Sequence, residues 1–349
     1  MIAAMNFNTM IIKEWIMQKL VIPLTALMLI SGLIPFHLHA QEKLAQSGFQ
    51  FLSVGTAAKA SAMAEAYTTS SGFSDALLYN PAGLGKVSAY LDLSGSWNRW
   101  IADISYQSAT LSLRPKDGQY GVFGLSFLWV DYGEFLGTMV WNNEKGYIDT
   151  ENFSPKAMAV GLGYGRMLTD KFSVGGQIKY VIQTPGESVV PGESAGSGLE
   201  VKKYVLSVMA FDFGTLYFTG FKSLVFGMSV RNFSQEVKYE QEGFQLPLTF
   251  RIGIAMNLID FFEHYGDKHA LLFAIDAVHP RALNEFVSIG IDYTLLDAFS
   301  IRCGYTSGQS EYGFTYGLGI RQFGISFDYA FIPFGVFNDV QKISIGYTF

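Results

Sequence analysis

Charge is scarce in this chain. Only 15% of its 349 residues are Asp, Glu, Lys or Arg, against about 25% in a typical soluble domain. The formal charge of −6 excludes a nucleic-acid binder, which would carry a basic face. Cysteine is nearly missing: Cys303 stands alone, which excludes an intrachain disulfide framework and a multi-cysteine metal cluster. Long apolar runs are missing too. Beyond residue 40 no stretch of about 20 apolar residues could span a bilayer as a helix, although 49% of the chain is hydrophobic and mean hydropathy is +0.22. That excludes a polytopic helical membrane protein. The high apolar content excludes disorder.

Signatures of catalysis are equally sparse. His37 and His39 lie in the leader described below. His264, His269 and His279 have no clustered partners at metal-ligand spacing. There is no Gly-x-Ser-x-Gly elbow, His-Glu-x-x-His or phosphate loop. Gly161, Gly163 and Gly165 lie inside an alternating segment with no helix after them, so they read as small inward residues. The expectation is a non-enzyme with no cofactor and no bound metal.

What is present begins with an export leader. Lys13 and Lys19 precede an apolar run from Leu20 to about Pro35, and Leu38-His39-Ala40 closes it. A basic start, a short apolar core and a small residue at the cut mark residues 1–40 as a signal peptide. Met17 is an alternative start to Met1.

From residue 88 to the end the dominant period is two. Leu246, Leu248, Phe250, Ile252, Ile254, Met256 and Leu258 share one face, opposite Thr249, Arg251, Gly253, Ala255 and Asn257. Ile343, Ile345, Tyr347 and Phe349 do the same at the C-terminus. This is the mark of strands with two unlike faces. Fourteen such segments are expected, at 88–98, 101–113, 119–132, 155–168, 171–183, 203–218, 222–234, 246–258, 269–278, 285–295, 298–306, 311–321, 323–332 and 341–349. Many have the length that a tilted barrel strand needs to cross a bilayer, about 9–11 residues. The sixth loses its alternation around Asp212-Phe213-Gly214, as at a bulge. The face opposite the apolar one carries Gly, Ser and Thr with single charges: Lys179, Arg231, Arg251, Asp276, Asp292, Arg302, Arg321, Asp328 and Lys342. Apolar-out and polar-in is the wall of an all-β, transmembrane, antiparallel up-and-down barrel. Cys303 falls in the outward row. A soluble sandwich would carry more Lys and Glu on its solvated face.

The connections alternate. Even-numbered ones are mostly tight, as at Thr169-Asp170 and Leu296-Asp297. Several odd-numbered ones are long: 133–154, 184–202, 235–245 and 333–340. Outer-membrane barrels place short turns in the periplasm and long loops outside, so both termini are expected to be periplasmic. Loop 184–202 repeats Pro-Gly-Glu-Ser and reads as a solvated, mobile loop.

Residues 41–87 lose the period of two. Thr56 to Ala66 is Ala-rich and suits a short helix. Ser74-Asp75 offers a helix cap, and Asn80-Pro81-Ala82-Gly83 is turn-rich. A segment this apolar, placed before the first wall strand, is expected inside the barrel mouth as a plug. The domains are therefore 1–40 leader, 41–87 plug and 88–349 barrel.

At Phe49–Leu84 the chain resembles the PorV/PorQ family, which belongs with the FadL-type barrels. Asn80-Pro81-Ala82-Gly83-Leu84 matches that family's motif. Ala62-Met63-Ala64-Glu65-Ala66 stands where the family has glycines, and Ser74-Asp75 stands where two acids are common. Further matches are Gly163-Tyr164-Gly165-Arg166, Asp212-Phe213-Gly214-Thr215 and Val230-Arg231-Asn232-Phe233. The last strand, with Tyr347 and the terminal Phe349, resembles the signal read by the bacterial barrel-assembly machinery. The resemblance implies an integral outer-membrane protein serving type IX secretion, with secretion components and the C-terminal domains of exported cargo as partners. It implies plug residues at Asp75, Asn80, Pro81 and Gly83. The FadL relation implies an alternative: a channel for fatty acids or other hydrophobic molecules, with that ligand held in the barrel. Outer-membrane lipid is a partner on either reading.

Overall fold

A computed structural model describes residues 47–191, 199–239, 242–262, 268–308 and 313–349. The leader at 1–40, the start at Met1 or Met17, His264 and most of the second Pro-Gly-Glu-Ser copy lie outside the described residues.

Fourteen strands close into one antiparallel barrel. They are β1 Leu91–Arg99, β2 Ser105–Leu113, β3 Val122–Asp131, β4 Lys156–Thr169, β5 Phe172–Pro191, β6 Leu199–Phe218, β7 Val225–Ser234, β8 Thr249–Asn257, β9 His269–Pro280, β10 Phe286–Leu295, β11 Phe299–Ser307, β12 Phe314–Gln322, β13 Ile325–Ile332 and β14 Val340–Thr348. Each pairs with its sequence neighbours, and β1 closes onto β14 with Asp92 opposite Thr348. Strand number, order and all-β class are those that the alternation predicts.

The wall has the predicted two faces. Ile301, Cys303 and Tyr305 are exposed outward, while Arg302, Gly304 and Thr306 are buried inward. Leu162 (69% exposed), Ile178 and Leu318 belong to the same outward apolar belt. Aromatics crowd the tight-turn end, among them Tyr90, Tyr120, Phe221, Phe323 and Phe349, as interfacial girdles do. No helix among the described residues is long and apolar enough to cross a membrane; the strands form the crossing surface.

The predicted bulge in β6 is present. The β6–β7 register shifts between Phe211 and Phe213. The Asp212 carboxylate accepts from Asn232 N at 2.7 Å, and Asn232 takes a left-handed φ of 60°.

For the described residues of 184–202, the expectation of a loop is corrected to strand. β5 and β6 each run 20 residues, so most of that segment is a projecting two-stranded ribbon. The register shifts between Gln183 and Gly186. Gly186, at φ 152°, absorbs the first Pro-Gly within the strand. The long connections at 133–154 and 235–245 also hold small hairpins, Thr138–Val140 with Tyr147–Asp149 and Val237–Tyr239 with Glu242–Phe244.

Residues 47–87 lie inside the wall. Short 3-10 turns at Gln50–Ser53, Ser74–Leu78 and Pro81–Lys86 flank one five-residue α-helix, Ala58–Ala62. Their groups bond to inward side chains all around the barrel: Asp92 of β1, Thr110 of β2, Ser173 of β5, Asp276 of β9, Thr315 of β12 and Ser344 of β14. The segment begins at the long-connection end, where Gly48 N donates to Gln245 O at 3.1 Å. It leaves at the tight-turn end, into β1. The expected cap at Ser74 is not formed: the 3-10 turn has Phe73 at its N-cap, and Ser74 N donates to Asp92 Oδ1 at 2.7 Å.

Candidate functional site

Glycines on the inward face let the inner segment approach the wall. A Cβ on Gly163 would overlap Leu77, and one on Gly175 would overlap the Pro81 backbone. At Gly165 it would lie 2.7 Å from Leu84 Cβ and 2.8 Å from Pro81 O. Asn80 is fully buried. Its Oδ1 accepts from Ala82 N at 3.1 Å, and its Nδ2 donates to Thr68 O at 2.8 Å and Thr215 O at 3.2 Å. One side chain thus caps the Pro81–Lys86 turn and joins two parts of the segment to β6.

Some of the inward charges tether the segment, and others pair within the wall. Asp276 accepts from Tyr67 N at 3.0 Å, Thr68 N at 2.9 Å and Thr68 Oγ1 at 2.6 Å. Arg251, 3.9 Å from that carboxylate, donates to Glu65 O at 2.8 Å. Arg302 donates to Asp292 at 2.8 Å and to Asp328 at 2.6 Å. Lys179 lies 2.8 Å from Asp212 and donates to Asn232 Oδ1 at 2.6 Å. Arg231 lies over the Tyr79 ring at 5.7 Å. Arg321 sits at the exposed tight-turn rim with its guanidinium 4.2 Å from the Phe73 ring. Asp75 is buried and accepts from Tyr67 Oη at 3.1 Å. Burial pushes its carboxyl above the ordinary carboxylate range, against the pull of Lys59. Asp276, Arg251, Arg231, Arg321 and Asp75 thus touch or belong to the segment, whereas Lys179 and Arg302 join wall strands to one another; the contacts do not converge on one reacting centre.

The concavity lies at the long-connection end. One half of that end is filled: Phe49, Phe51 and Leu52 pack against Tyr106, Val130, Val181 and Leu246. The other half holds a cavity of about 240 Å³. Trp100, Leu283, Phe286, Ile332 and Phe334 wall it; Ser61, Glu65, Arg251 and Lys342 lie at its polar side. The Trp100 and Phe334 rings meet edge-on at 5.3 Å. Lys342 Nζ donates to Gly55 O at 2.7 Å and to Ser61 Oγ at 2.8 Å, and lies 3.8 Å from Glu65. Its amine therefore fastens the segment to β14 beneath the cavity.

Sequence reasoning reached Lys342 and Arg251 through their inward register. It missed Trp100, Leu283 and Phe334, which lie in or beside connections where no period marks a facing side. Glu65 had one signal, a lone acid in an Ala-rich stretch. Among the described residues no group of acids, histidines and cysteines is arranged to hold a metal ion.

No protein-family model matches the chain, and no curated protein matches it in sequence. Solved structures do. The chain is similar to the CymD monoaromatic hydrocarbon channel at 12% identity and TM-score 0.57, over 85% of this chain and 98% of that one. A deltaS2S3 mutant of the TodX monoaromatic hydrocarbon channel matches at 14% identity and TM-score 0.54, over 84% and 99%. A FadL homologue of Pseudomonas aeruginosa matches at 10% and 0.51, over 84% and 98%. At such identities the likeness establishes the fold, which is that of FadL-family outer-membrane barrels.

Proposed function

We propose that the chain is an integral outer-membrane channel for small hydrophobic molecules, with residues 47–87 as its plug. The observation that carries this reading is the apolar cavity beneath the long connections. Its volume is about 240 Å³. An apolar cavity of about 150 Å³ holds benzene, whereas drug-sized ligands need roughly 300–1,000 Å³. One aromatic ring or a short chain fits; a long acyl chain does not fit without movement of the plug. A ligand would enter between Trp100, Leu283 and Phe334, and onward passage requires the Ser61–Glu65 floor to separate from Lys342 and Arg251. The long connections face outward, and the C-terminus lies at the periplasmic turn end.

Saturable binding of toluene to detergent-solubilised protein, followed by tryptophan fluorescence, tests this. Phe334→Trp should fill the cavity and weaken binding at least tenfold. Absence of saturable binding in the unsubstituted protein would refute the channel reading.

A second reading is cargo capture in type IX secretion. It rests on the Phe49–Leu84 motif and on exposed apolar side chains in the long connections, Leu136, Val140 and Val336, each more than 80% exposed. Purification from native envelopes tests it: secretion components should co-purify. A preparation free of them and of cargo domains would count against it.

A further inference from the structure

The outward face of β3–β5 changes character in a single step. Trp129, Met158 and Ile182 are direct cross-strand neighbours. They continue the rows of Phe123–Phe127, Leu162–Val160 and Ile178–Tyr180, which face lipid. The next outward row, Asp131, Lys156 and Thr184, is polar. Two residues along a strand span about 6.6 Å, so these rows straddle the level where acyl chains give way to headgroups. A tryptophan at that level is the usual interfacial anchor.

A groove of about 370 Å³ opens on this boundary. Trp129, Met158 and Ile182 form its apolar floor; Lys156, Lys203 and Glu187 stand at its polar rim. Phe153 closes one side. Its ring packs on Gly186, where a Cβ would lie 2.7 Å away, and it stacks with Phe135 at 5.8 Å. Because the floor is continuous with the lipid-facing wall, whatever fills the groove arrives from the membrane.

The rim selects the headgroup. Lys156 has no ion-pair partner among the described residues. Asp131 is its cross-strand neighbour, with one oxygen accepting from Gly133 N at 3.0 Å. Lys203 pairs with Glu187 at 2.8 Å, but both are well exposed, at 62% and 41%. Exposed pairs contribute little and exchange partners readily. Two amines over an apolar floor match one acyl chain and one phosphate. We propose that this groove holds a phosphorylated acyl lipid of the surrounding leaflet, chain on Trp129, Met158 and Ile182, phosphate between Lys156 and Lys203. The proposal does not depend on the channel reading.

Native mass spectrometry of the detergent-solubilised full chain tests it, with bisphosphorylated lipid A as the probe and its dephosphorylated form as control. The unsubstituted protein should retain lipid A and release the dephosphorylated form. The pair Lys156→Ala with Lys203→Ala should weaken retention about tenfold. Lys116→Ala with Lys222→Ala, cations over Tyr120 and Phe261 at the other end, should change nothing. Equal retention of both lipids, no retention of either, or retention unaltered by the Lys156 and Lys203 changes would each overturn the proposal.

Discussion

Removing the Asp276 carboxylate should release the middle of the inner segment. Asp276 is fully buried and accepts three hydrogen bonds from Tyr67 and Thr68. Hydrogen bonds to a charged group contribute about 1.5–3 kcal/mol each. The three share one carboxylate oxygen, so they are not independent, and about 4 kcal/mol is a sober sum. Asp276→Ala also leaves two backbone donors without their acceptor and Arg251 without its nearest carboxylate. Since 1.4 kcal/mol is tenfold in an equilibrium, local opening should rise roughly a thousandfold. Hydrogen exchange at the Tyr67 and Thr68 amides reports such opening directly. Asp276→Asn keeps one oxygen and should fall between. Asp170→Ala, at an exposed turn, should leave these amides unchanged. A change below threefold in Asp276→Ala would refute the argument that this carboxylate tethers the segment.

Other perturbations test the same architecture. Gly165→Ala drives a methyl into Leu84 and Pro81 and should cost about 1–3 kcal/mol, seen as lost protection over residues 77–85; Gly95→Ala, with its nearest neighbour at 3.9 Å, should be tolerated. Lys342→Met should destabilise by about 3–5 kcal/mol, the cost of breaking a buried ion pair, and adding Glu65→Gln should recover part of it in a double-mutant cycle of thermal unfolding. The raised carboxyl of Asp75 means that the folded state holds its proton more tightly than the unfolded chain. Its stabilising contribution is therefore complete below the ordinary carboxylate value and is lost as pH rises through the raised one. Asp75→Asn should remove that part of the pH dependence, and an unchanged profile would contradict the assignment. With Cys303 replaced by serine, cysteines at Val140 and Val336 should react with an impermeant maleimide on intact cells, whereas those at Asp170 and Phe323 should react only after lysis; the reverse pattern would invert the orientation.

Much of the wall was legible because a barrel strand has one solvent on each face. Lipid outside and a crowded lumen inside force a choice at every residue, so Ile343, Ile345 and Tyr347 announce their side without reference to any partner. The bulge at Asp212 was legible for the same reason: it interrupts a period that was otherwise clear. The ribbon at 185–191 and 199–202 was not. Beyond the membrane both of its faces meet water, alternation carries less meaning, and Pro-Gly dominates the local signal.

The candidate site divides along the same line. Sequence alone determined the all-β class, the strand number, the inward register of Arg251, Asp276 and Lys342, and the presence of a non-strand segment before β1. Tertiary structure decided which of these meet. Asp276 reaches Thr68 across 208 positions of chain, and Lys342 reaches Gly55 across 287. No local pattern encodes such pairings, because they depend on how the ring of strands closes around the segment. Trp100 and Phe334 likewise become cavity walls only when β1 and β14 are brought side by side. Periodicity assigns each residue a face; closure of the barrel assigns it a neighbour.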